Sequence, residues 1–277
     1  MSQGLVKDFS DWLVVSDIDG TLNTKWRTLP PNNLDAIKRF VTQLGGHFTL
    51  ASGRSVDSLK KHYHRLPINN TPAIVLNGAG IYDFKNEKMI RFNAINSNGK
   101  ELVKAVLKKH PTIEVEICTP DNILLINPFI FGPTLVHADK LPHTRCKSIE
   151  AAIPFDWGKV VFFGIPPLIK KVKQYLNQNN SSDLHCMSSS IVTYEILAKD
   201  THKGTAVLEL AKMLGISIEH TAAIGDYFND FDMLQSVYLP AACGQAPKKI
   251  HDIVKFHACH CNKGAVADFL AYIENNY

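Results

Sequence analysis

Four short segments hold residue types suited to phosphoryl and acid–base chemistry. Asp17-Ile18-Asp19-Gly20-Thr21 offers two carboxylates two positions apart, and Ser52-Gly53-Arg54 a hydroxyl close to a guanidinium. Lys203-Gly204 adds an ammonium, and Gly225-Asp226-Tyr227-Phe228-Asn229-Asp230 adds two more carboxylates and an amide. A carboxylate can accept a phosphoryl group and so divide a hydrolysis into two easier steps. A second carboxylate can deliver and collect the proton. A hydroxyl and an ammonium aimed at the phosphoryl oxygens stabilise the charge of the transition state. Each segment alone has a plainer reading. Asp-x-Asp after a strand is commonly a turn or cap, Gly-Asp-x-x-Asn-Asp a loop, and Lys203 a solvated helix start. The plain readings must coincide at all four places, in order, for the chemical one to fail.

An alternation of strands and helices places these segments. Trp12 to Ser16 is an apolar run ending at Asp17, which predicts a buried parallel strand. A helix follows Pro30-Pro31, capped by Asn32 or Asn33, with Leu34, Ile37, Phe40, Val41 and Leu44 on one face and Gly45-Gly46 at its end. Phe48–Ala51 is the next strand; Val56, Leu59, Tyr63 and Leu66 mark a helix, and Ala73–Leu76 a further strand. From Lys203 the alternation resumes: Val207, Leu210, Ala211 and Leu214 form a helix closed by Gly215, and Thr221–Ile224 a strand running into Gly225-Asp226. A short strand at 236–239 and a helix at 264–274 complete this part. The pattern predicts an α/β fold with a doubly wound parallel sheet, in which ligands bind beyond the carboxyl ends of the strands. All four segments fall at strand ends or at a helix start.

Between them the pattern changes. Ile81-Tyr82 and Met89-Ile90 flank Lys85-Asn86-Glu87 as a hairpin. Strands are expected around 113–117, 123–126, 160–163 and 191–197, with helices at 99–109 and 167–177, while 128–158 has no clear period. This predicts an α+β domain over 84–197, inserted into a core made of 1–83 and 198–277.

With 277 residues, 45% hydrophobic and 20% charged, the chain can bury a full core. A net charge of +4 with scattered lysines argues against nucleic acid as a partner. Residues 1–10 are polar and no apolar run reaches a membrane span, so neither a targeting segment nor a membrane anchor is expected. Six cysteines without paired spacing suit a reducing cytoplasm. Cys259-His260-Cys261 lacks the spacing of a structural zinc site and reads as alternation along a terminal strand. His62 and His64 read as a helix surface.

The ordered motifs Asp-Ile-Asp-Gly-Thr-Leu at 17–22, Ala-Ser-Gly-Arg at 51–54, Lys203-Gly204 and Gly-Asp-Tyr-Phe-Asn-Asp at 225–230 resemble the haloacid dehalogenase superfamily. Within it, they are similar to the Cof-like sugar-phosphatase branch with its C2B-type cap, from residue 12 to the C-terminus. The resemblance implies a phosphatase of small phosphorylated metabolites, with Asp17 as nucleophile and Asp19 as general acid and base. It implies Mg²⁺ ligated by the Asp17 and Asp226 carboxylates and the Asp19 backbone carbonyl, with Asp230 supporting them from behind. Ser52 and Lys203 would clamp the phosphoryl group. Arg54, Asn77, Gly78 and Asn229 would approach substrate, and the cap would select the leaving group. A phosphomutase and a phospho-ligand sensor are the competing functions. The sequence departs from the branch at Gly244-Gln245-Ala246, where Gly-Asn-Ala is usual. The longer amide is expected to alter the aspartate loop or a water there.

Overall fold

The computed structural model describes residues 7–129, 140–179 and 183–277. Residues 1–6 and 130–139, on which the expectations for the N-terminal segment and for 128–158 partly fall, lie outside the described residues. The first apolar run forms β1 (Leu13–Ser16), buried at every position. It pairs in parallel with β2 (His47–Leu50) on one side and β12 (Thr221–Gly225) on the other. With β13 (Leu239–Ala242) and β14 (Phe256–His257) the sheet order is β14-β13-β12-β1-β2. The chain leaves β1 toward one edge and much later enters β12 on the opposite side. The order therefore reverses between β1 and β12, and such a reversal opens a crevice at the carboxyl ends.

Both faces of this sheet are covered, which is why its strands read as continuous apolar runs. On one face Val14 and Ile224 pack with Ile37 and Phe40 of α1 (Pro31–Thr42) and Phe269 of α8 (Ala265–Asn276). On the other, Leu13, Val15 and Ala223 pack with Val207 and Leu210 of α5 (Lys203–Leu214) and with Met233 and Leu234 of α6 (Phe231–Ser236). Helix α1 starts one residue earlier than its expected cap. Pro31 occupies its first turn after Pro30, with no side-chain cap, because proline has no N–H to leave unsatisfied and its fixed φ suits the helix start. Asn33 is instead buried: its amide donates to the Leu22 carbonyl at 2.8 Å and accepts from Ala267 N at 2.9 Å. It ties the loop after β1 to α8.

The strand expected over 73–76 ends one residue early, as β3 (Ala73–Val75). Leu76, Asn77 and Gly78 all take left-handed backbone, with φ of 54°, 54° and 99°. The chain then turns back as β4 (Gly80–Asp83) and β5 (Lys88–Phe92), antiparallel to β3 and to each other. The expected hairpin is present, and the division expected at 83/84 falls between its strands.

A six-stranded sheet follows, built from β6 (Glu114–Cys118), β7 (Ile123–Ile126), β8 (His143–Cys146), β9 (Lys159–Phe163), β10 (Leu184–Ser190) and β11 (Thr193–Ala198), in the order β10-β11-β9-β6-β7-β8. Helices α3 (Ser97–Lys109) and α4 (Pro166–Asn179) cover one face, over Ile117, Val160, Phe162 and Ile196. The opposite face turns to the first core, where Cys118 and Leu197 join Leu76 and Ala79. Strand β13 sits three residues later than the stretch expected at 236–239, because α6 runs through Ser236. The terminal strand stops at His257, so Cys259 and His260 lie in a loop and Cys261 opens a helical turn, which corrects the expected strand alternation. Its physical cause is pairing to β13 at two positions only. All six cysteines are free thiols. Among the described residues no helix is long and apolar enough to cross a membrane.

Candidate active site

Strand β1 delivers Asp17 to the crevice, and β12 delivers Asp226 beside it. Asp17 N donates to the Ile224 carbonyl at 3.0 Å, so β1 and β12 stay paired up to that residue. The loop turns sharply at Gly20, whose φ is 86°. A β-carbon there would lie 2.4 Å from Asp226 Oδ2, so only glycine lets the two loops approach this closely.

Lys203, the first residue of α5, is fully buried and lies between Asp17 Oδ1 at 2.6 Å and Asp230 Oδ1 at 2.7 Å. Burial works against its charge, and the two carboxylates outweigh it, so its pKa is raised and it stays an ammonium. Asp230 uses its other oxygen to accept from Asp226 N at 3.1 Å and Tyr227 N at 3.2 Å. Both of its oxygens are thus engaged in holding the loop and the ammonium.

The carboxylates are crowded. One oxygen from each of Asp17, Asp226 and Asp230 falls within 4.8 Å of the others. Burial, then the Asp230 charge, push Asp17 up to about 8 against the pull of Lys203. The same two causes push Asp226 up to about 6, with Gln245 and Lys203 opposing. Three carboxylates against one ammonium leave an excess of negative charge on an all-oxygen donor set, which fits a hard divalent cation such as Mg²⁺. Asp17 and Asp226 have carboxylate oxygens to give it, whereas Asp230 is committed elsewhere.

Asp19 faces a different partner. Arg54 grips it with two parallel bonds, Nε to Oδ2 at 3.0 Å and Nη2 to Oδ1 at 2.9 Å. Burial raises the Asp19 pKa, but the Arg54 hydrogen bonds and charge outweigh it, with Arg27 and His62 helping, and leave it below the ordinary value. Asp17 and Asp19, two residues apart, are therefore driven in opposite directions, Asp17 toward its protonated form and Asp19 toward its ionised form.

A cavity of about 410 Å³ opens over these groups. Asp17, Asp19, Ser52, Arg54, Asn77, Asp226 and Asn229, all singled out from sequence, line it. Gly78 does not: its backbone packs against His202, whose carbonyl oxygen lies 2.3 Å from where a β-carbon would stand, so it serves the contact with the start of α5. His62 is half-buried and bonds Asn23 at 3.3 Å, more than the surface position expected of it; His64 is exposed. Gln245 fills the role that its departure from Asn put in question. Its amide donates to the Gly20 carbonyl and, at 3.4 Å, to Asp226 Oδ2, while its oxygen accepts from Cys261 N at 3.0 Å. The extra methylene spans the gap between the two aspartate loops.

Five lining residues were not anticipated: Lys159, Ser188, Ser189 and Glu195 from the six-stranded sheet, and Tyr227 as a side chain. Lys159 and Glu195 had a signal in the sequence. Lys159 opens one apolar strand run and Glu195 interrupts another, and charge on a buried strand demands a partner. A larger groove of about 640 Å³, lined by Phe129, Phe163, Ile165 and Leu168, lies at the other end of β9 from Lys159 and holds none of these carboxylates.

A model of haloacid dehalogenase-like hydrolases matches residues 14–270. A putative phosphatase of Haemophilus influenzae is 26% identical over 239 residues, 86% of this chain and 88% of that one. A pyridoxal phosphate phosphatase of Escherichia coli is 26% identical over 255 residues, 84% of this chain and 88% of that one. Among solved structures, a haloacid dehalogenase subclass IIB sugar phosphatase superposes with a TM-score of 0.79 at 19% identity, covering 95% of this chain and 98% of that one.

Proposed function

This chain belongs to the haloacid dehalogenase-like hydrolases and is a phosphatase, and on that premise we propose that it hydrolyses a small sugar phosphate or similar anionic ester through an aspartyl-phosphate on Asp17. The observation that carries the reading is Lys203, buried at the meeting of Asp17 and Asp230, with Asp19 separately held by Arg54. A pure ligand binder has no need of a second carboxyl beside the nucleophile to carry a proton.

In the first half-reaction an Asp17 carboxylate oxygen attacks phosphorus and the bond from phosphorus to the ester oxygen breaks. Asp19, carrying a proton, gives it to the departing oxygen. In the second half-reaction Asp19 takes a proton from water, the water oxygen attacks phosphorus, and the bond to Asp17 breaks to release inorganic phosphate. Lys203 and the Ser52 hydroxyl offset charge on the phosphoryl oxygens. The Asp17 and Asp226 carboxylates and the Asp19 backbone carbonyl would hold Mg²⁺, which when bound supplies charge neutralisation and orientation of the phosphoryl group. For Asp19 to act as acid it must leave Arg54, because the pairing favours the unprotonated form. Incoming phosphate is a competing partner for that guanidinium. The six-stranded sheet of β6–β11 covers the crevice and supplies groups that read the leaving group.

The relatives named above support a small phosphorylated substrate: one is named for pyridoxal phosphate. The polar lining from Ser188 and Ser189 suits a hydroxylated leaving group better than an apolar one. The test is phosphate release from a panel of sugar phosphates and an aryl phosphate, with Mg²⁺ and with excess EDTA. Release that needs Mg²⁺ supports the proposal. Isomer formation with little free phosphate would replace it with a phosphomutase, and binding without turnover with a sensor.

A further inference from the structure

Lys159 and Glu195 belong to the inserted sheet, yet their polar ends are committed to the catalytic loops of the other sheet. Along β9 the alternation of side chains turns Val160 and Phe162 to the helices and leaves Lys159 and Val161 on the opposite face. There Lys159 Nζ donates to the Gly53 carbonyl at 2.7 Å, and Glu195 Oε2 lies 3.5 Å from it. The same Glu195 oxygen accepts from Asn77 Nδ2 at 2.9 Å, and Asn77 N donates to the Ser52 carbonyl at 2.9 Å. Lys159, Glu195 and Asn77 are 6%, 7% and 5% exposed, so this ring is largely buried in the wall of the cavity.

A buried ion pair is a poor way to gain stability, since desolvation cancels most of the attraction. Within its own sheet Lys159 stands directly opposite Leu197 and Cys118, and its charged neighbours there are Glu195 and Glu116. What it does satisfy is the carbonyl between Ser52 and Arg54, the residues that face the phosphoryl site and grip Asp19.

We propose that Lys159 and Glu195 are a positioning pair for hydrolysis, fixing the Ser52–Arg54 loop and Asn77 so that the loop is catalytically aligned only while the inserted sheet is seated. The inference rests on the phosphatase reading. It differs from substrate recognition by the sheet, because the pair acts through Gly53 and Asn77 on a loop that every substrate meets.

Wild type is compared with Lys159→Met, Lys159→Arg and the double variant Lys159→Met/Glu195→Gln. The single Met variant strands the Glu195 and Glu116 carboxylates and loses stability; the double variant removes the Lys159 and Glu195 charges together and leaves only Glu116, so its thermal midpoint recovers in part. A displaced loop costs roughly 10- to 100-fold in rate. We expect a kcat loss of that size in both Met-containing variants, equal for aryl and sugar phosphates, with KM and half-saturating Mg²⁺ little changed, and partial rescue in Lys159→Arg. Amide exchange at residues 52–55 rises in the double variant. A double variant that regains kcat along with its midpoint would reduce the pair to a fold anchor. A loss confined to KM, or to sugar phosphates, would make Lys159 a substrate contact. If wild type releases no phosphate, the phosphatase reading fails by itself, and unchanged exchange at 52–55 still overturns the positioning pair.

Discussion

Lys203 is the residue on which the charge arrangement turns. Replacing it by Met leaves Asp17 and Asp230 facing each other without a cation. Breaking a buried pair in this way costs about 3–5 kcal/mol. Lys203→Met is therefore expected to lower the denaturation midpoint sharply and to abolish turnover, read by denaturant titration and phosphate release. The raised pKa values of Asp17, about 8, and Asp226, about 6, carry a second prediction. Both must be unprotonated to ligate, so protons compete with Mg²⁺ and affinity falls as pH drops through this range. Calorimetric titration at low and high pH measures this; equal affinity at both would contradict it. At Gly20, alanine would need a left-handed backbone and would drive its β-carbon into Asp226. Gly20→Ala should weaken Mg²⁺ binding more than it lowers the thermal midpoint.

These residues were readable from the sequence because chemistry constrains their type and the strand ends constrain their place. Lys159 and Glu195 were not read, since an apolar run draws attention to its majority and a charge within it looks like an edge. Arg54 was placed near substrate, but its grip on Asp19 depends on side-chain directions that spacing does not encode.

At the scale of elements, the parallel strands were legible from their apolar runs and the helices from their apolar faces. What escaped was where segments stop. β3 ends at Val75 because three successive left-handed residues bring Asn77 to Ser52 and Gly78 against α5, a requirement of tertiary contact. Asn33, one of the two expected caps of α1, instead joins the β1 loop to α8. Asn33→Ala would leave the Leu22 carbonyl and the Ala267 N–H without their partner, at about 1–3 kcal/mol. The expected result is a lower denaturation midpoint with kcat changed far less. Gln245 connects Gly20, Asp226 and the turn at Cys261. Gln245→Ala should raise the Mg²⁺ concentration needed for half-activity, and Gln245→Asn should fall between it and wild type.

The whole molecule explains why distant motifs cooperate. The reversal of strand order between β1 and β12 makes a crevice, and the inserted sheet turns its uncovered face toward that crevice. Segments 186 residues apart, Asp17 and Lys203, meet there at 2.6 Å. The α/β class followed from pattern alone. The pairing order of the inserted sheet did not, because antiparallel strands of similar composition can pair in several orders. The central claim is that Asp17 carries the phosphoryl group. The most direct measurement is acid-quenched single turnover with Mg²⁺, followed by peptide mass analysis, in wild type, in Asp19→Asn to slow the second step, and in Asp17→Asn. A phosphoryl group on the peptide holding Asp17, enriched in Asp19→Asn and absent with turnover lost in Asp17→Asn, is the predicted result. Phosphate release that persists in Asp17→Asn, or a phosphoryl group on another peptide, would contradict it.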